Sequence, residues 1–184
     1  MIQKIITIFL LILLAPIFLL VSIVIWLDDG FPLLYIQKNY GKNHTVFSLY
    51  KFRTMKKNTP SIPTEEMTHP KKYLLRSGSI IRKFSLDELP QFFNVLNGTM
   101  NVIGPRPCML NNENIIKNLR ENYGIDKIKP GITGLAQVNG RDANNYATKV
   151  DWDKKYMENQ SLLLDLKIIL KTFYVILIPK NIKH

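Results

Sequence analysis

The sequence predicts an α+β protein that is attached to a membrane through its N-terminus. Residues 5–27 carry no charged side chain, which is typical of a membrane segment. Residues 33–52 contain two short runs rich in aromatic and β-branched side chains, which indicate strands. Most of the remaining chain shows helical spacing of its apolar residues. A length of 184 residues allows one domain of ordinary size after the membrane segment.

The apolar segment from Ile5 to Leu27 is interrupted only by Thr7 and Ser22. Roughly 20 apolar residues are enough for a helix that crosses a bilayer. The end of the segment and the residues after it read Trp26-Leu27-Asp28-Asp29-Gly30, and this stretch lacks a small-residue cleavage site of the signal-peptide type. We therefore expect residues 1–30 to remain as a membrane segment, and we expect residues 31–184 to form a cytoplasmic domain.

Pro16 lies in the middle of this apolar segment. An interior proline removes a backbone hydrogen bond and kinks a helix. Positive charges are far more frequent after the segment than before it, where Lys4 stands alone, so the positive-inside rule favours a cytoplasmic domain. These observations agree equally with a kinked spanning helix and with a helix-break-helix that returns to the same face.

Two strand-like runs, 33–37 and 45–52, are separated by the turn-rich residues 39–43. This pattern predicts a β-hairpin. Strand alternation places Lys51 and Arg53 on one face at the exit of the hairpin. Cations in such a position are usually solvent-exposed surface charges. Residues 58–69 are rich in Thr and Pro, and we expect a mobile loop there, with a lid as one interpretation.

The central acidic pair, Asp87 and Glu88, precedes a short apolar segment that Asn97-Gly98 ends. Ser85 with Glu88 matches a capping box. Asp87 as the N-cap would instead place Pro90 in the first turn, and we favour this start. Either start places the carboxylates at a helix N-terminus, which favours an ionised Asp87 and also a phosphate beside it. Simple helix capping is the alternative interpretation.

Three further helices are predicted in the C-terminal half, at 111–123, 146–159 and 162–178. The last is apolar apart from Asp165, Lys167 and Lys171, so it fits a core helix or a helix at the membrane interface equally well. Glycines at 131, 134 and 140 permit the backbone to approach a ligand closely, although ordinary turns would contain them too.

A formal net charge of +11 indicates anionic partners. A nucleic-acid-binding protein would share this charge, but neither a basic recognition helix nor a stacking motif is present in the sequence. A non-catalytic membrane scaffold would explain the N-terminus but not the Gly- and Arg-rich turns. The single Cys108 excludes an internal disulfide and fits a reducing compartment.

Four motifs occur in order along the chain: Lys51-Phe52-Arg53-Thr54-Met55, Ser85-Leu86-Asp87-Glu88-Leu89-Pro90-Gln91, Gly104-Pro105-Arg106-Pro107 and Pro130-Gly131-Ile132-Thr133-Gly134. Together they resemble the bacterial sugar transferase family, the small monotopic phosphoglycosyl transferases, over nearly the whole chain. The resemblance implies a re-entrant membrane helix and interfacial helices around a mostly helical catalytic domain. The family breaks its membrane helix at a Ser-Pro pair, whereas this chain has Ala15-Pro16.

The resemblance also implies an activity. A sugar 1-phosphate passes from a UDP-sugar to polyprenyl (undecaprenyl) phosphate and UMP is released, as the first membrane step of glycan assembly. Asp87 takes the role of the nucleophile that forms a covalent phosphosugar intermediate, Glu88 is its partner, and Mg²⁺ binds at Asp87. Carboxylate oxygen is a suitable Mg²⁺ ligand, and arginines suit a diphosphate. The expected substrate-binding residues are Lys51, Arg53, Arg82, Arg106, Gln137 and Arg141.

The expected partners are the UDP-sugar donor, the polyprenyl phosphate acceptor and an anionic phospholipid membrane, with no nucleic acid. A homodimer is compatible with this interpretation. The expected location is the bacterial inner membrane, with the catalytic domain on its cytoplasmic face.

Overall fold

The computed structural model describes residues 2–60, 67–110, 114–140 and 145–178. These residues form helices and strands in one mixed fold, as predicted. The helices are α1 (Ile2–Asp29), α2 (Pro70–Tyr73), α3 (Gly78–Lys83), α4 (Gln91–Leu96), α5 (Asn114–Asn122), α6 (Leu135–Val138), α7 (Tyr146–Glu158) and α8 (Leu162–Leu177). The strands are β1 (Leu34–Tyr40), β2 (Val46–Phe52), β3 (Asn101–Ile103), β4 (Cys108–Met109) and β5 (Gly131–Thr133).

Helix α1 runs without interruption through Pro16. The division into two short helices that the sequence suggested is therefore not observed. The helix is long and apolar enough to cross a membrane. Most of its side chains are exposed, and Leu27, for example, is 72% exposed. Such a surface of large apolar residues on a helix is suited to lipid rather than to water.

The C-terminal half of α1 packs against the rest of the protein. Val21 and Ile25 are almost completely buried and belong to the same apolar cluster as Phe52. The ring of Phe18 lies 5.4 Å from that of Phe52 and 5.9 Å from that of Phe93, measured between centroids. Helix α1 and the rest of the chain therefore share a hydrophobic core.

Arg53 fixes the point where α1 ends. Its buried guanidinium pairs with the carboxylate of Asp29. Its Nε donates to the carbonyl of Pro32 at 2.5 Å, and its Nη2 donates to the carbonyl of Gly30 at 2.7 Å. Backbone carbonyls at the end of a helix lack intrahelical partners, and here an arginine from the β2 exit satisfies the backbone just beyond it.

The predicted β-hairpin is confirmed. Strands β1 and β2 pair antiparallel from Leu34 with Phe52 to Tyr40 with Val46. The connection closes over residues 41–45, where Asn43 and His44 adopt positive φ angles. Strand β4 adds to the free side of β1, which gives the order β2-β1-β4.

The other edge of β2 is covered by the side chain of Asn94 from α4. Its Oδ1 accepts a hydrogen bond from the Tyr50 backbone N–H at 3.1 Å, and its Nδ2 donates to the Ser48 carbonyl at 2.7 Å. The amide thus occupies the place of a neighbouring strand, and it is fully buried. This contact fixes α4, and the acidic turn before it, against β2.

Strands β3 and β5 pair in parallel, and Gly104, the residue after β3, is in contact with Gly131 of β5 and with Gly134 just after it. A Cβ atom on Gly131 would lie 2.0 Å from the backbone nitrogen of Gly104, and one on Gly134 would lie 2.1 Å from the Gly104 carbonyl oxygen. Of the two interpretations of these glycines, the structure supports that of turn residues at Gly131 and Gly134. They leave room for the backbone of the Gly104 turn.

Helices α7 and α8 match their predicted ranges within about two residues. The inner face of α8 contributes Ile168 to the core, and Thr172 exchanges a hydrogen bond with Thr133 of β5 at 2.7 Å. Its outer face is apolar and exposed. The exposed side chains include Leu162, Leu163, Leu166, Leu170, Phe173 and Leu177. The core interpretation of this helix thus applies to its inner face. The interface interpretation applies to its outer face, which is exposed and apolar.

Candidate active site

The acidic pair lies in a tight turn between α3 and α4. Ser85 adopts a left-handed conformation with φ of 54°, and residues Leu86–Glu88 then form a single 3-10 turn. Helix α4 begins only at Gln91, after both helix starts that the sequence suggested. Asp87 is therefore not the N-cap of a helix, because the reversal at Ser85 places it inside the preceding turn.

Three cations from separate parts of the chain interact electrostatically with the Asp87 carboxylate. Lys51 comes from β2, Arg82 from the last turn of α3, and Arg106 from the turn after β3. The second carboxylate, Glu88, lies beside them. Asp87 itself is only 9% exposed. The structure therefore gathers five of the predicted site residues into one cluster with a small excess of positive charge.

The pKa of Asp87 is raised from its ordinary value of 3.8 to about 6, first by burial and then by the neighbouring Glu88 carboxylate. Lys51, Arg82 and Arg106 act in the opposite direction. We expected a helix N-terminus to favour the ionised form. The cost of removing a carboxylate from water exceeds that effect here, because Asp87 lies ahead of the helix and inside the protein.

Lys51 shares this environment. Burial lowers the pKa of its ammonium group, and the neighbouring Arg106 acts in the same direction. The carboxylates of Glu88 and Asp87 raise the pKa of Lys51 in turn. The charge on Lys51 is therefore linked to the anions that stand beside it, and an additional anion in the site would favour the protonated lysine.

Arg106 connects the Gly104-Pro105-Arg106-Pro107 turn to the acidic pair. Its Nη1 donates to Oε1 of Glu88 at 3.0 Å, while the Arg106 side chain is 49% exposed. A half-exposed guanidinium can be reached by a ligand that arrives from solvent. The planar fork of an arginine is suited to bidentate contact with phosphate.

Comparison with known proteins agrees with this arrangement. The family model described as "Bacterial sugar transferase" matches residues 1–179. The chain belongs to the bacterial sugar transferase family. It is 36% identical over 93% of its length to the exopolysaccharide production protein ExoY of Sinorhizobium fredii, of which it covers 81%. It is 38% identical over 96% of its length to the uncharacterized sugar transferase EpsL of Bacillus subtilis, of which it covers 86%.

A further relative carries an activity in its name. The UDP-glucose:undecaprenyl-phosphate glucose-1-phosphate transferase of Klebsiella pneumoniae is 35% identical over 93% of this chain, which covers 38% of that protein. The four sequence motifs thus belong to a sugar transferase, and this protein is an enzyme.

The remaining predicted residues of the sugar transferase lie elsewhere. Arg53 is not among the charges that act on Asp87, and its guanidinium is bonded to the end of α1. Gln137 lies on α6 with both polar atoms of its amide buried and without a hydrogen-bond partner in the structure. Its Oε1 is 2.8 Å from the position of a Cβ on Gly134, and therefore close to the Gly104 turn. Arg141 lies outside the described residues.

The carboxylates of Asp87 and Glu88 are compatible with a Mg²⁺ site that the protein supplies only in part. Within the described ranges there is no group of three or more His, Cys, Asp or Glu side chains that could enclose a metal ion. Mg²⁺ is commonly held by one or two carboxylates together with water and substrate phosphates. Asp87 and Glu88 fit that kind of site, in which the phosphate oxygens of the substrate complete the ligand set.

Sequence reasoning missed Arg120 and Asp153, which form a buried ion pair directly behind the Arg106 turn. Nη2 of Arg120 lies 2.6 Å from Oδ2 of Asp153. A signal was present in the sequence. Asp153 falls in the apolar phase of α7 between Val150 and Tyr156, which are both buried. A charged residue in such a position requires a buried partner of opposite charge.

Proposed function

We propose that this enzyme transfers a sugar 1-phosphate from a UDP-sugar to polyprenyl phosphate, releases UMP and so begins glycan assembly on a lipid carrier. The main support is the buried Asp87 carboxylate among Lys51, Arg82 and Arg106. A buried acid surrounded by cations is suited to attack a phosphorus atom whose own charge those cations offset. The Klebsiella pneumoniae relative is named for the same type of reaction.

The proposed reaction has two displacements. A carboxylate oxygen of Asp87 forms a bond to the β-phosphorus of the donor, the bond from that phosphorus to the bridging oxygen breaks, and UMP leaves with the electron pair. An oxygen of polyprenyl phosphate then attacks the same phosphorus, and the bond to Asp87 breaks. The products are the polyprenyl diphosphate sugar and a free carboxylate. With a pKa of about 6, Asp87 is mostly ionised at neutral pH and is ready to attack.

The neighbouring groups have separate roles in this scheme. Arg106 and Arg82 bind the diphosphate, and Lys51 balances the charge that collects near Asp87. Glu88 keeps Arg106 oriented until the donor arrives and, with Asp87, would hold Mg²⁺. A divalent ion bound there supplies further charge neutralisation at the diphosphate. The three cations and the divalent ion would all offset negative charge in the transition state, which is the main catalytic requirement of phosphoryl transfer.

Two other predicted ligands remain proposals. The buried amide of Gln137 offers one donor and one acceptor beside the Gly104 turn, and an orphaned buried amide is stabilised when a ligand supplies its hydrogen bonds. We assign it, with Arg141, to the donor substrate. We no longer assign Arg53 to the substrate, because its bonds to Pro32 and Gly30 already explain its burial.

The membrane topology that we propose is re-entrant: both ends of α1 face the cytoplasm. Phe18 already packs against Phe52 and Phe93 of the catalytic domain. At 1.5 Å per residue, the part of α1 ahead of Phe18 is about 24 Å long, which is short of the roughly 30 Å hydrocarbon core. Pro16 lies two residues before this contact and favours a bend there.

The outer face of α8 is proposed to lie in the membrane interface. Its exposed apolar side chains are flanked by Lys167 and Lys171, the arrangement of a helix that rests on an anionic bilayer. We propose in addition that the protein lies on the cytoplasmic face of the inner membrane, where both proposed substrates meet; the excess of Lys and Arg after α1 supports this face. Burial of the same face in a homodimer is the competing arrangement.

The function is tested by measuring UMP release from a panel of UDP-sugars with polyprenyl phosphate and Mg²⁺. One donor in the panel is expected to give UMP that depends on the acceptor, and Asp87→Asn is expected to give none. A folded, membrane-bound parent protein that releases UMP from no donor would contradict the proposal.

A further inference from the structure

Arg120 of α5 makes contacts in three directions at the back of the Arg106 turn. Its Nη1 donates to the backbone carbonyl of Arg106 at 2.8 Å and lies 2.7 Å from Sγ of Cys108. Its Nε and Nη2 both donate to Oδ2 of Asp153 in α7, at 3.1 and 2.6 Å. A single guanidinium thus connects two helices to the turn that carries Arg106.

The anchor of this arrangement is deeply buried. The side chain of Asp153 is 2% exposed and that of Arg120 is 12% exposed. Burial raises the pKa of the Asp153 carboxyl, and the Arg120 charge opposes that rise. An ion pair removed from water has little freedom to rearrange, because either partner alone would be an unpaired buried charge.

The opposite side of the turn is held as well. The Gly131 backbone N–H donates to the carbonyl of Pro105 at 2.8 Å, and the Gly104 N–H donates to the carbonyl of Thr133 at 2.9 Å. Strand β5 therefore fixes the beginning of the turn, and Arg120 fixes the carbonyl of Arg106 itself. The direction in which the Arg106 side chain leaves the backbone is set between these two supports.

We propose that Arg120, held by Asp153, is a positioning residue that orients Arg106 toward the site around Asp87. This inference rests on the proposed function for its catalytic consequence. Its structural part does not, because the Arg120 contacts are independent of any substrate. The planar fork is essential to the role: a lysine has one nitrogen and cannot bond Asp153 and the Arg106 carbonyl in the same geometry.

The first test measures the turn directly. Hydrogen exchange of the segment 101–110 is compared in the full-length protein, Arg120→Lys, Asp153→Asn and the control Val150→Ala. Val150 is buried in α7 one turn before Asp153 and has no role in the proposed site, so its truncation weakens the same helix without removing the fork. Faster exchange of 101–110 in Arg120→Lys and Asp153→Asn, but not in Val150→Ala, is the expected result.

The second test is a double-mutant cycle on kcat/KM for the donor. Arg120→Lys is expected to lower kcat/KM about 10-fold, the size expected for one misplaced charged hydrogen bond. In an Arg106→Ala background it should have almost no further effect, because the group that it positions is gone. In the control cycle, the fold-changes in kcat/KM caused by Val150→Ala and Arg106→Ala should simply multiply, because Val150 does not act through Arg106.

The outcomes separate this inference from the proposed function. If the parent protein releases UMP and the effects of Arg120→Lys and Arg106→Ala multiply independently, Arg120 does not act through Arg106. Unchanged exchange of 101–110 in both Arg120→Lys and Asp153→Asn overturns the inference even if the parent protein has no transferase activity. A parent protein that is inactive, with exchange of the turn accelerated as expected, removes only the assigned reaction.

Discussion

Nη1 of Arg106 lies 3.0 Å from Oε1 of Glu88, so the guanidinium assigned to the diphosphate already has an anionic partner. In the proposed reaction, a phosphate oxygen of the donor would replace Oε1 of Glu88 as the acceptor for Arg106, so one anion would take the place of another at the same cation. The Glu88 carboxylate would then be available to hold a divalent ion together with Asp87.

Arg106→Lys tests the need for the arginine fork. The charge is preserved but bidentate contact is lost, so kcat/KM for the donor is expected to fall about 10- to 100-fold. The exposed Arg76→Lys serves as a matched control and should leave the rate unchanged. Equal rates for Arg106→Lys and the parent enzyme would show that Arg106 is not a ligand of the diphosphate.

Asp87→Asn tests the nucleophile. The substitution keeps the shape of the side chain and removes the charge that attacks phosphorus. Incubation with the UDP-sugar alone should add a sugar phosphate to the mass of the parent protein and nothing to the mass of the variant. An Asn variant that still turns over at a near-normal rate would end the assignment.

The acid limb of the pH profile should report Asp87. Because the carboxylate must be ionised to attack, kcat/KM for the donor should rise tenfold per pH unit up to about pH 6 rather than levelling off near 4. Lys51→Met removes a cation that lowers the pKa of Asp87, so the limb should move to higher pH. Lys83→Met, an exposed change on α3, is the control. If the apparent pKa of the acid limb is the same in Lys51→Met as in the parent enzyme, Lys51 does not influence the ionisation of Asp87.

The same group makes a prediction for stability with a definite sign. The folded state holds the Asp87 proton more tightly than the unfolded state does, so the contribution of this group is most favourable below about pH 4 and is lost as the pH rises through about 6. The Tm of Asp87→Asn should therefore rise relative to that of the parent between about pH 4 and 6, and the difference should level off above that range. A constant difference in Tm across this range would contradict the buried, raised pKa.

Gly131→Ala tests the contact between the two glycine-containing turns. Its Cβ would lie 2.0 Å from the Gly104 nitrogen, so the backbone must move, and a loss of more than about 2 kcal/mol in stability is expected. Gly98→Ala is the comparison, because Gly98 has a φ of 84° and open surroundings. Only the conformational cost of about 1 kcal/mol applies there. Equal losses in unfolding experiments would mean that the turns separate easily.

The re-entrant topology is tested with a single cysteine at residue 2 in a Cys108→Ser background. A membrane-impermeant thiol reagent is applied to intact cells whose outer membrane is permeable. Protection until the inner membrane is opened is expected. Pro16→Leu should remove the bend that the re-entrant proposal requires at Pro16, and should therefore produce labelling. Labelling of the parent cysteine from the periplasm would show that α1 spans the membrane.

Local patterns in the sequence predicted most of the helices and the hairpin. Helices α7 and α8 and strand β2 follow from the spacing of apolar residues within each segment. The burial of Asp87 could not be predicted, because it depends on β2 and on the turn after β3, which are distant in sequence. The contact between Gly104 and Gly131 and the role of Arg53 at the end of α1 are equally non-local. The site motifs predicted a set of candidate residues, but not which of them lie together in the structure.

Val21 and Ile25 of α1 pack in the same cluster as Phe52, Leu75 and Ile81. The folding of the rest of the chain therefore depends on α1. Until this helix docks, the apolar interior around Phe52 is incomplete, and a copy with α1 undocked exposes an apolar surface. We expect such a copy to be degraded or to aggregate rather than to persist as folded protein.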